Sequence, residues 1–157
     1  GNYFKKVMND EGLNVEIDTI RLYPNPENYK SIQLKVFDQA IQDFNKFSKQ
    51  KIVIDSHYAM LMKFGYISGV PEIILDKLKT KALFLIEANA NEIRERRKAD
   101  RNRVRNYGFE QDIEDMLEKE KAYARFYSEY CKVPLHIILN ENGKLEEAVK
   151  EFIKNLK

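Results

Sequence analysis

The chain has 157 residues, of which 43% are apolar and 33% charged, and 27 basic against 25 acidic side chains leave a net charge of +2. This composition excludes a disordered chain and a protein that coats nucleic acid by bulk attraction. The single cysteine, Cys131, excludes a disulfide-stapled scaffold and predicts a cytoplasmic protein. We expect no membrane partner, because the longest apolar run, at residues 82–86, is far below the ~20 residues of a membrane span.

The first predicted helix begins at Asn25-Pro26, because asparagine caps helices and proline suits the first helical position. Short apolar runs at residues 51–55, 82–87 and 134–140 do not alternate with polar residues, which is typical of strands buried on both faces. Helices are predicted between them at residues 71–79, 89–98 and 109–131, and a final helix follows the last strand. Strands separated by helices predict a three-layer α/β domain, a parallel sheet with helices on both faces.

Asp55 ends the first predicted strand, and ligands of parallel sheets bind at the carboxyl ends of the strands. A carboxylate in this place is suited to Mg²⁺, usually held through water in phosphoryl-transfer proteins. Capping of the following turn explains Asp55 as well. The neighbouring His57 is more simply a hydrogen-bonded structural residue.

A second candidate is a basic cluster rich in arginine, the side chain preferred for bidentate phosphate contacts. A solvated helix face is the plainer interpretation, and RNA contact is a weaker third because few aromatic residues are interleaved. The cluster consists of Arg94, Arg96, Arg97, Lys98, Arg101, Arg103 and Arg105.

A third candidate is the segment at residues 65–71, where Tyr66 lies between Gly65 and Gly69. Glycine lets a backbone approach a ligand closely, and an aromatic ring can stack on a base. Turn chemistry explains the segment equally well. None of the six glycines fits the G-x-x-x-x-G-K-[ST] pattern of a phosphate-binding loop.

Taken in order, these segments resemble the archaeal-type adenylate kinases, a branch of the P-loop nucleoside monophosphate kinases. Residues 52–57 (IVIDSH) are similar to that family's hydrophobic strand ending in Asp-Thr-His, and residues 65–71 (GYISGVP) to its Gly-Tyr-Leu-Pro-Gly-Leu-Pro. Residues 92–97 and 101–103 resemble its Glu-Ile-x-x-Arg-Arg helix and its Thr-Arg-Asn-Arg lid. Residues 10–13 and 18–21 resemble the stretch that grips the monophosphate. The likeness spans nearly the whole chain.

The resemblance implies reversible phosphoryl transfer between ATP and AMP, with Mg²⁺ organised by Asp55. Arg21 would clamp the AMP phosphate, and Tyr66 and Gly69 would line the pocket for its base. Arginine charge would surround the phosphoryl group in flight, supplied by Arg97, Arg101 and Arg103. The resemblance also implies one domain over residues 1–157, with a monophosphate-binding region at about 1–49, a lid at about 98–108, and a possible trimer. The chain departs from the family at Asp100, Val104 and Lys121, where threonine, aspartate and arginine are usual.

The largest departure is at the front, because the family opens with a strand, the P-loop, a helix and a second strand that these 157 residues do not contain. In the family the first strand lies between those corresponding to residues 51–55 and 82–87. We therefore expect a fold that is incomplete at the N-terminus, with unpaired backbone groups, and a kinase that needs a P-loop-bearing chain or segment. The alternative is a non-catalytic nucleotide- or RNA-binding module on a degenerate kinase scaffold, and a purely structural protein ranks third.

Overall fold

The computed structural model describes residues 2–12, 25–47, 51–100 and 113–156. It divides into an N-terminal unit, Gly1–Leu78, and a C-terminal unit, Lys79–Lys157. The described part of the N-terminal unit consists of α1 (Asn2–Asp10), α2 (Pro26–Phe44), a short 3₁₀ helix (Asn45–Phe47), β1 (Ala59–Met62), β2 (Gly65–Ser68) and α3 (Glu72–Leu78).

The predicted start of α2 is confirmed. The Asn25 side chain accepts hydrogen bonds from the backbone N–H groups of Glu27 (2.9 Å) and Asn28 (3.2 Å), and Pro26 opens the helix. The apolar side of α2 packs on α1 and on the hairpin of β1 and β2, and this contact forms the core of the unit. Its buried members are Val7, Met8, Tyr29, Ile32, Val36 and Met62.

Strands β1 and β2 form an antiparallel hairpin, with Ala59 opposite Ser68 and Met62 opposite Gly65. The sequence patterns predict neither this hairpin nor α1. The hairpin's two-residue connection, Lys63-Phe64, lacks the Asn-Gly or Asp-Gly signature of tight turns, and its strands do not alternate polar with apolar residues. The left-handed backbone that the turn needs is instead supplied by Gly65, whose φ is 116°.

The described part of the C-terminal unit contains β3 (Leu83–Glu87), α4 (Ala90–Ala99), α5 (Ile113–Cys131), β4 (Leu135–Leu139) and α6 (Leu145–Asn155). Strands β3 and β4 are parallel, with Leu83 opposite Leu135 and Glu87 opposite Leu139. These elements match the helices and strands predicted over the same stretch.

The helices α5 and α6 cover opposite faces of this sheet. The Phe152 ring of α6 lies 4.6 Å from that of Phe84 in β3, whereas Lys121 of α5 pairs with Glu87. Because side chains three apart in a strand point to opposite faces, the unit has three layers. The central side chains Leu85 and Ile138 are 6% and 0% exposed. The predicted α/β class, with parallel strands between helices, is confirmed.

The strand predicted at residues 51–55 is wrong for this structure. Residues 51–57 form no strand, and Ile52, Val53 and Ile54 are 41%, 55% and 39% exposed. A parallel strand is held by backbone hydrogen bonds to a neighbour, and no described strand pairs with this segment. The apolar composition is present, but a neighbouring strand for it is not among the described residues.

Candidate functional site

The sequence predicts seven site residues, and four of them lie in the described part of the chain. Asp55, Tyr66 and Gly69 belong to the N-terminal unit, and Arg97 belongs to the C-terminal unit. The other three, Arg21, Arg101 and Arg103, lie outside the described residues, as does most of the predicted lid. The described candidates therefore fall in both units, three in the N-terminal unit and one in the C-terminal unit.

Gly69 lies where two backbone segments come too close for any side chain. Its N–H donates to the carbonyl oxygen of Tyr58 at 2.8 Å, which ties the end of the hairpin to the residue before β1. A Cβ atom built on Gly69 would overlap the carbonyl oxygen of His57. The resemblance assigns this glycine to a base pocket, and the structure adds a local reason for it, which is backbone contact with residues 57 and 58.

Tyr66 lies on the same hairpin, in β2 opposite Leu61, and its side chain is half-buried. Tyr66 therefore lies three residues before the tight turn at Gly69, and their shared role in a base pocket stays a prediction. The turn leads directly into α3, because the Pro71 carbonyl accepts the N–H groups of Ile74 (2.9 Å) and Leu75 (3.1 Å).

The sequence interpretation missed Gln33, which joins α2 to this turn. Its Nε2 donates to the carbonyl oxygens of Ser68 (3.0 Å) and Gly69 (2.9 Å). Gln33 is 4% exposed, and within the described part of the chain it is the only polar or charged residue that is buried. A signal was available, since Gln33 stands four residues after Tyr29 and four before Phe37 on the apolar side of α2, where a polar residue is unexpected.

Asp55 lies in the exposed segment at residues 51–57. Within residues 2–12, 25–47, 51–100 and 113–156, no three His, Cys, Asp or Glu side chains converge on a metal-binding position. A Mg²⁺ ion in a phosphoryl-transfer site needs only one or two carboxylates, because water and nucleotide phosphates supply its other ligands. The exposed carboxylate of Asp55 therefore offers the kind of oxygen ligand that such an ion binds.

The arginines of α4 differ in their partners. Arg94 forms an ion pair with Glu114 of α5 and donates to Asn91 at 2.7 Å. Arg97 donates through Nη2 to the thioether sulfur of Met116 at 3.2 Å, a weak acceptor. The two side chains are three residues apart on one helix, so they offer a matched pair for mutation.

Arg96 ties α4 to the loop that follows β4. Its guanidinium donates to the Asn140 carbonyl (2.8 Å), to the Asn142 side chain (2.9 Å) and to Glu92 (3.2 Å). Glu92 also accepts the Asn142 N–H at 3.2 Å. This network ties α4 to the loop at the carboxyl end of β4. Ligands of parallel sheets bind at such strand ends. The sequence interpretation did not predict it, because its members are distant along the chain.

The carboxyl ends of β3 and β4 are joined by polar contacts. The Asn140 N–H donates to the Glu87 carbonyl at 2.7 Å. The Glu87 carboxylate forms an ion pair with Lys121, with 3.1 Å between Oε1 and Nζ. Lys121 is the position where the resembled family usually has arginine. A lysine there retains the positive charge but not the planar fork of a guanidinium.

Comparison with known proteins identifies the family of this chain. Residues 1–114 match the AAA domain family. An adenylate kinase of Methanopyrus kandleri is 31% identical over 160 residues, which cover 100% of this chain and 81% of that protein. The adenylate kinases of Methanococcus vannielii and Methanocaldococcus jannaschii are 30% and 31% identical, and each match covers 100% of this chain and 80% of the relative. Among the described helices, none is long and apolar enough to span a bilayer. The chain therefore belongs to the adenylate kinase family of phosphotransferase enzymes.

Proposed function

We propose that this chain carries the acceptor site and the arginine-bearing lid of an adenylate kinase, which transfers a phosphoryl group reversibly between ATP and AMP. The observation that carries the proposal is the similarity to adenylate kinases over the whole chain. Residues 1–157 would act as one functional domain in the cytoplasm, with region 1–49 gripping the monophosphate and region 98–108 forming the lid.

In this proposal Tyr66 and Gly69 line the pocket of the acceptor base. The ring of Tyr66 supplies an apolar surface for stacking, and the absent side chain at Gly69 lets the adjoining turn close against the backbone of residues 57 and 58. Arg21 would hold the AMP phosphate. These assignments follow the resemblance, and the common placement of Tyr66 and Gly69 on one hairpin supports them.

The chemical step needs positive charge around the transferred phosphoryl group, because its three equatorial oxygens carry the developing charge. Arg97, Arg101 and Arg103 would supply that charge, and Asp55 would hold the Mg²⁺ ion through water. When bound, Mg²⁺ neutralises phosphate charge and orients the nucleotide. Arg97 would act from the last turn of α4, where the neighbouring Arg96 ties the helix to the loop after β4.

We also propose that a P-loop segment outside these 157 residues completes the ATP site. Three features of the described residues support it. Residues 52–54 are apolar and exposed, and residues 51–57 belong to no described strand. Strand β3 pairs with β4 alone in the described sheets. In addition, α6 exposes an apolar stripe beside its sheet-facing side, formed by Leu145, Val149 and Ile153.

The rival function, a module that binds RNA or nucleotide phosphates without catalysis, depends on the same arginines. Two of them are already engaged within the protein, since Arg94 pairs with Glu114 and Arg96 with Glu92. An RNA-binding surface would need such side chains to reach phosphates along a strand. These contacts therefore favour the kinase function over the RNA-binding module.

Calorimetric titration of the 157-residue chain with AMP tests the acceptor site. We expect AMP to bind, and Tyr66→Leu to weaken binding about tenfold through loss of base stacking. Phe126→Leu is the matched control, because Phe126 is an exposed aromatic residue outside the monophosphate region and the lid, and it should leave AMP affinity unchanged. Absence of AMP binding together with tight, strongly salt-dependent binding of a short RNA would favour the rival.

A second assay tests the missing segment. The chain alone, mixed with ATP, AMP and Mg²⁺, should form ADP far below the roughly 1–100 s⁻¹ typical of kinases. Activity in that range would overturn the need for a P-loop segment while supporting the kinase function itself. Once a complemented enzyme is active, Arg97→Ala should reduce its rate by about two orders of magnitude or more, whereas the control Arg94→Ala should have a small effect.

A further inference from the structure

Gln33 is a polar side chain held inside the apolar core of the N-terminal unit. It is 4% exposed, and its neighbours on the same side of α2 include Tyr29, Ile32 and Val36, which are also buried. A buried amide must recover by hydrogen bonding what it loses in hydration. A leucine or methionine would pack there without that requirement, so the amide has a use besides filling volume.

The role of the Gln33 amide follows from its two hydrogen bonds. A single side-chain nitrogen, Nε2, donates to the consecutive carbonyls of Ser68 (3.0 Å) and Gly69 (2.9 Å). An amide nitrogen has two hydrogens, so both are used. Because each carbonyl belongs to a different peptide plane, the two bonds together fix the orientation of both planes at the end of β2.

The same turn is held from two further directions. The Gly69 N–H donates to the Tyr58 carbonyl at 2.8 Å, and the Ser68 hydroxyl donates to the Val70 carbonyl at 2.5 Å. The His57 carbonyl lies against the Cα atom of Gly69 and leaves no room for a side chain. Of these contacts, only those of Gln33 come from another secondary-structure element, which makes Gln33 the link between α2 and the turn.

We propose that Gln33 is a positioning residue for the acceptor nucleotide, which fixes the turn at residues 68–70 and through it the strand that carries Tyr66. The inference rests on the proposed function, since it takes Tyr66 and Gly69 as the base-binding pair. Gln33 acts through the backbone of the turn and does not itself contact the nucleotide.

The test compares two buried neighbours on one helix. Gln33→Met keeps the length of the side chain and removes both donors, whereas Ile32→Val trims the core beside it and leaves both donors in place. AMP affinity is measured by calorimetry on the 157-residue chain, well below the melting temperature of each variant. We expect Gln33→Met to raise the Kd for AMP about tenfold, the loss of roughly one ordering hydrogen bond, and Ile32→Val to leave it unchanged.

Hydrogen exchange at the Gly69 amide gives a readout that does not depend on AMP. Exchange should be faster in Gln33→Met and unchanged in Ile32→Val, because only the former releases the turn. Gln33→Asn provides a second variant if the methionine protein does not fold. It retains the amide but is one methylene too short to reach both carbonyls, so it should also weaken AMP binding and speed exchange.

The possible outcomes separate the two proposals. Normal AMP affinity in both Gln33 variants would overturn the positioning role and leave the kinase function standing. Equal losses in Gln33→Met and Ile32→Val would also overturn it, because the effect would then follow stability alone. A wild-type chain that binds no AMP would overturn the proposed acceptor site, and the role of Gln33 with it.

Discussion

Residues 51–55 and residues 83–87 are nearly the same kind of sequence, an apolar run followed by an acid, yet they differ in structure. Leu83 to Glu87 form β3, which pairs with β4 and is covered by α5. Lys51 to Asp55 form no strand, and their three central side chains are 39% to 55% exposed. The difference lies in the neighbours of each segment and not in its own composition.

The comparison shows how far β-propensity depends on context. Isoleucine and valine favour strands because they pack well on a pleated surface beside cross-strand neighbours. In a parallel sheet each strand also needs a neighbour to satisfy its N–H and C=O groups. Where that neighbour is missing from the described residues, as for residues 51–55, the same kinds of side chain stay exposed outside any strand.

The largest expected effect is a contrast in stability between these two regions. Ile138→Ala removes a side chain that is 0% exposed in β4, beside β3, and should cost about 2–5 kcal/mol of unfolding free energy through lost burial and a residual cavity. Val53→Ala trims a side chain that is 55% exposed and should stay within about 0.5 kcal/mol. Urea denaturation of both variants measures the two values.

The contrast also tests the missing neighbour. If Val53→Ala proves as costly as Ile138→Ala, residues 51–55 are packed in solution, and the difference between the two runs disappears. If the chain is first complemented by a P-loop segment, the cost of Val53→Ala should rise, because the valine would then be buried beside a new strand.

The second expected effect concerns Gly69, which lies against the end of the segment at residues 51–57. Gly69→Ala places a Cβ atom against the His57 carbonyl, and backbone there cannot yield as a flexible side chain would. We expect a loss of about 1–3 kcal/mol, the usual range for overpacking, measured by thermal or urea denaturation. Gly143→Asn is the control, because its φ of 77° suits asparagine and no atom lies within 4 Å of an added Cβ.

A Gly69→Ala protein as stable as wild type would show that His57 and Gly69 separate at little cost. The turn would then not anchor residues 51–57, and AMP affinity should be compared directly. A loss of affinity without a loss of stability would favour the base-pocket role of Gly69 over its packing role.

Much of the fold follows from local signals. The cap at Asn25, the proline that opens α2 and the apolar spacing of the helices predict elements that the structure contains, because each depends on residues close together in sequence. The hairpin at residues 59–68 escaped prediction because its turn uses Gly65 without the usual partner residues. The strand at residues 51–55 was predicted and is absent, since pairing depends on a neighbour that no local pattern reports.

The candidate site residues show the same difference between local signals and contacts that are distant along the chain. Tyr66 and Gly69 can be proposed from sequence because they share one segment whose residue types suit a base pocket, and that role stays a prediction. Gln33 is not found in this way, because its hydrogen bonds reach 35 and 36 residues along the chain. The Arg96 network is missed for the same reason, since its contacts to Asn140 and Asn142 span 44 and 46 residues. Arg21, Arg101 and Arg103 stay predictions, because they lie outside the described residues.

A third, smaller effect is expected at the end of the paired strands. Arg96→Ala removes the donors to Asn140 and Asn142, and we expect a loss of about 0.5–1 kcal/mol, because contacts of a partly exposed arginine are weakened by solvent. Arg125→Ala, an exposed arginine on α5, is the control and should be close to neutral. Chemical denaturation of the two variants makes the comparison, and equal values would show that the network adds nothing to the strand ends.

The smallest expected effect is a pH dependence at the C-terminal end of α2. Lys46 donates a hydrogen bond to Asp43 at 2.6 Å, and this bond lowers the pKa of the Asp43 carboxyl, with a lesser contribution from the Tyr3 hydroxyl at 3.3 Å. A carboxyl whose pKa is lower in the folded state stabilises the fold above its unfolded pKa, and that stability is lost as pH falls through the folded value. Asp43→Asn should therefore reduce stability slightly at neutral pH and flatten its decline below about pH 4. Lys46→Met removes the same hydrogen bond from the other side and should flatten the acid limb in the same way. Melting temperatures measured from pH 7 to pH 2 give both curves, and an acid limb unchanged in both variants would mean that this surface pair does not contribute to the pH dependence of the N-terminal unit.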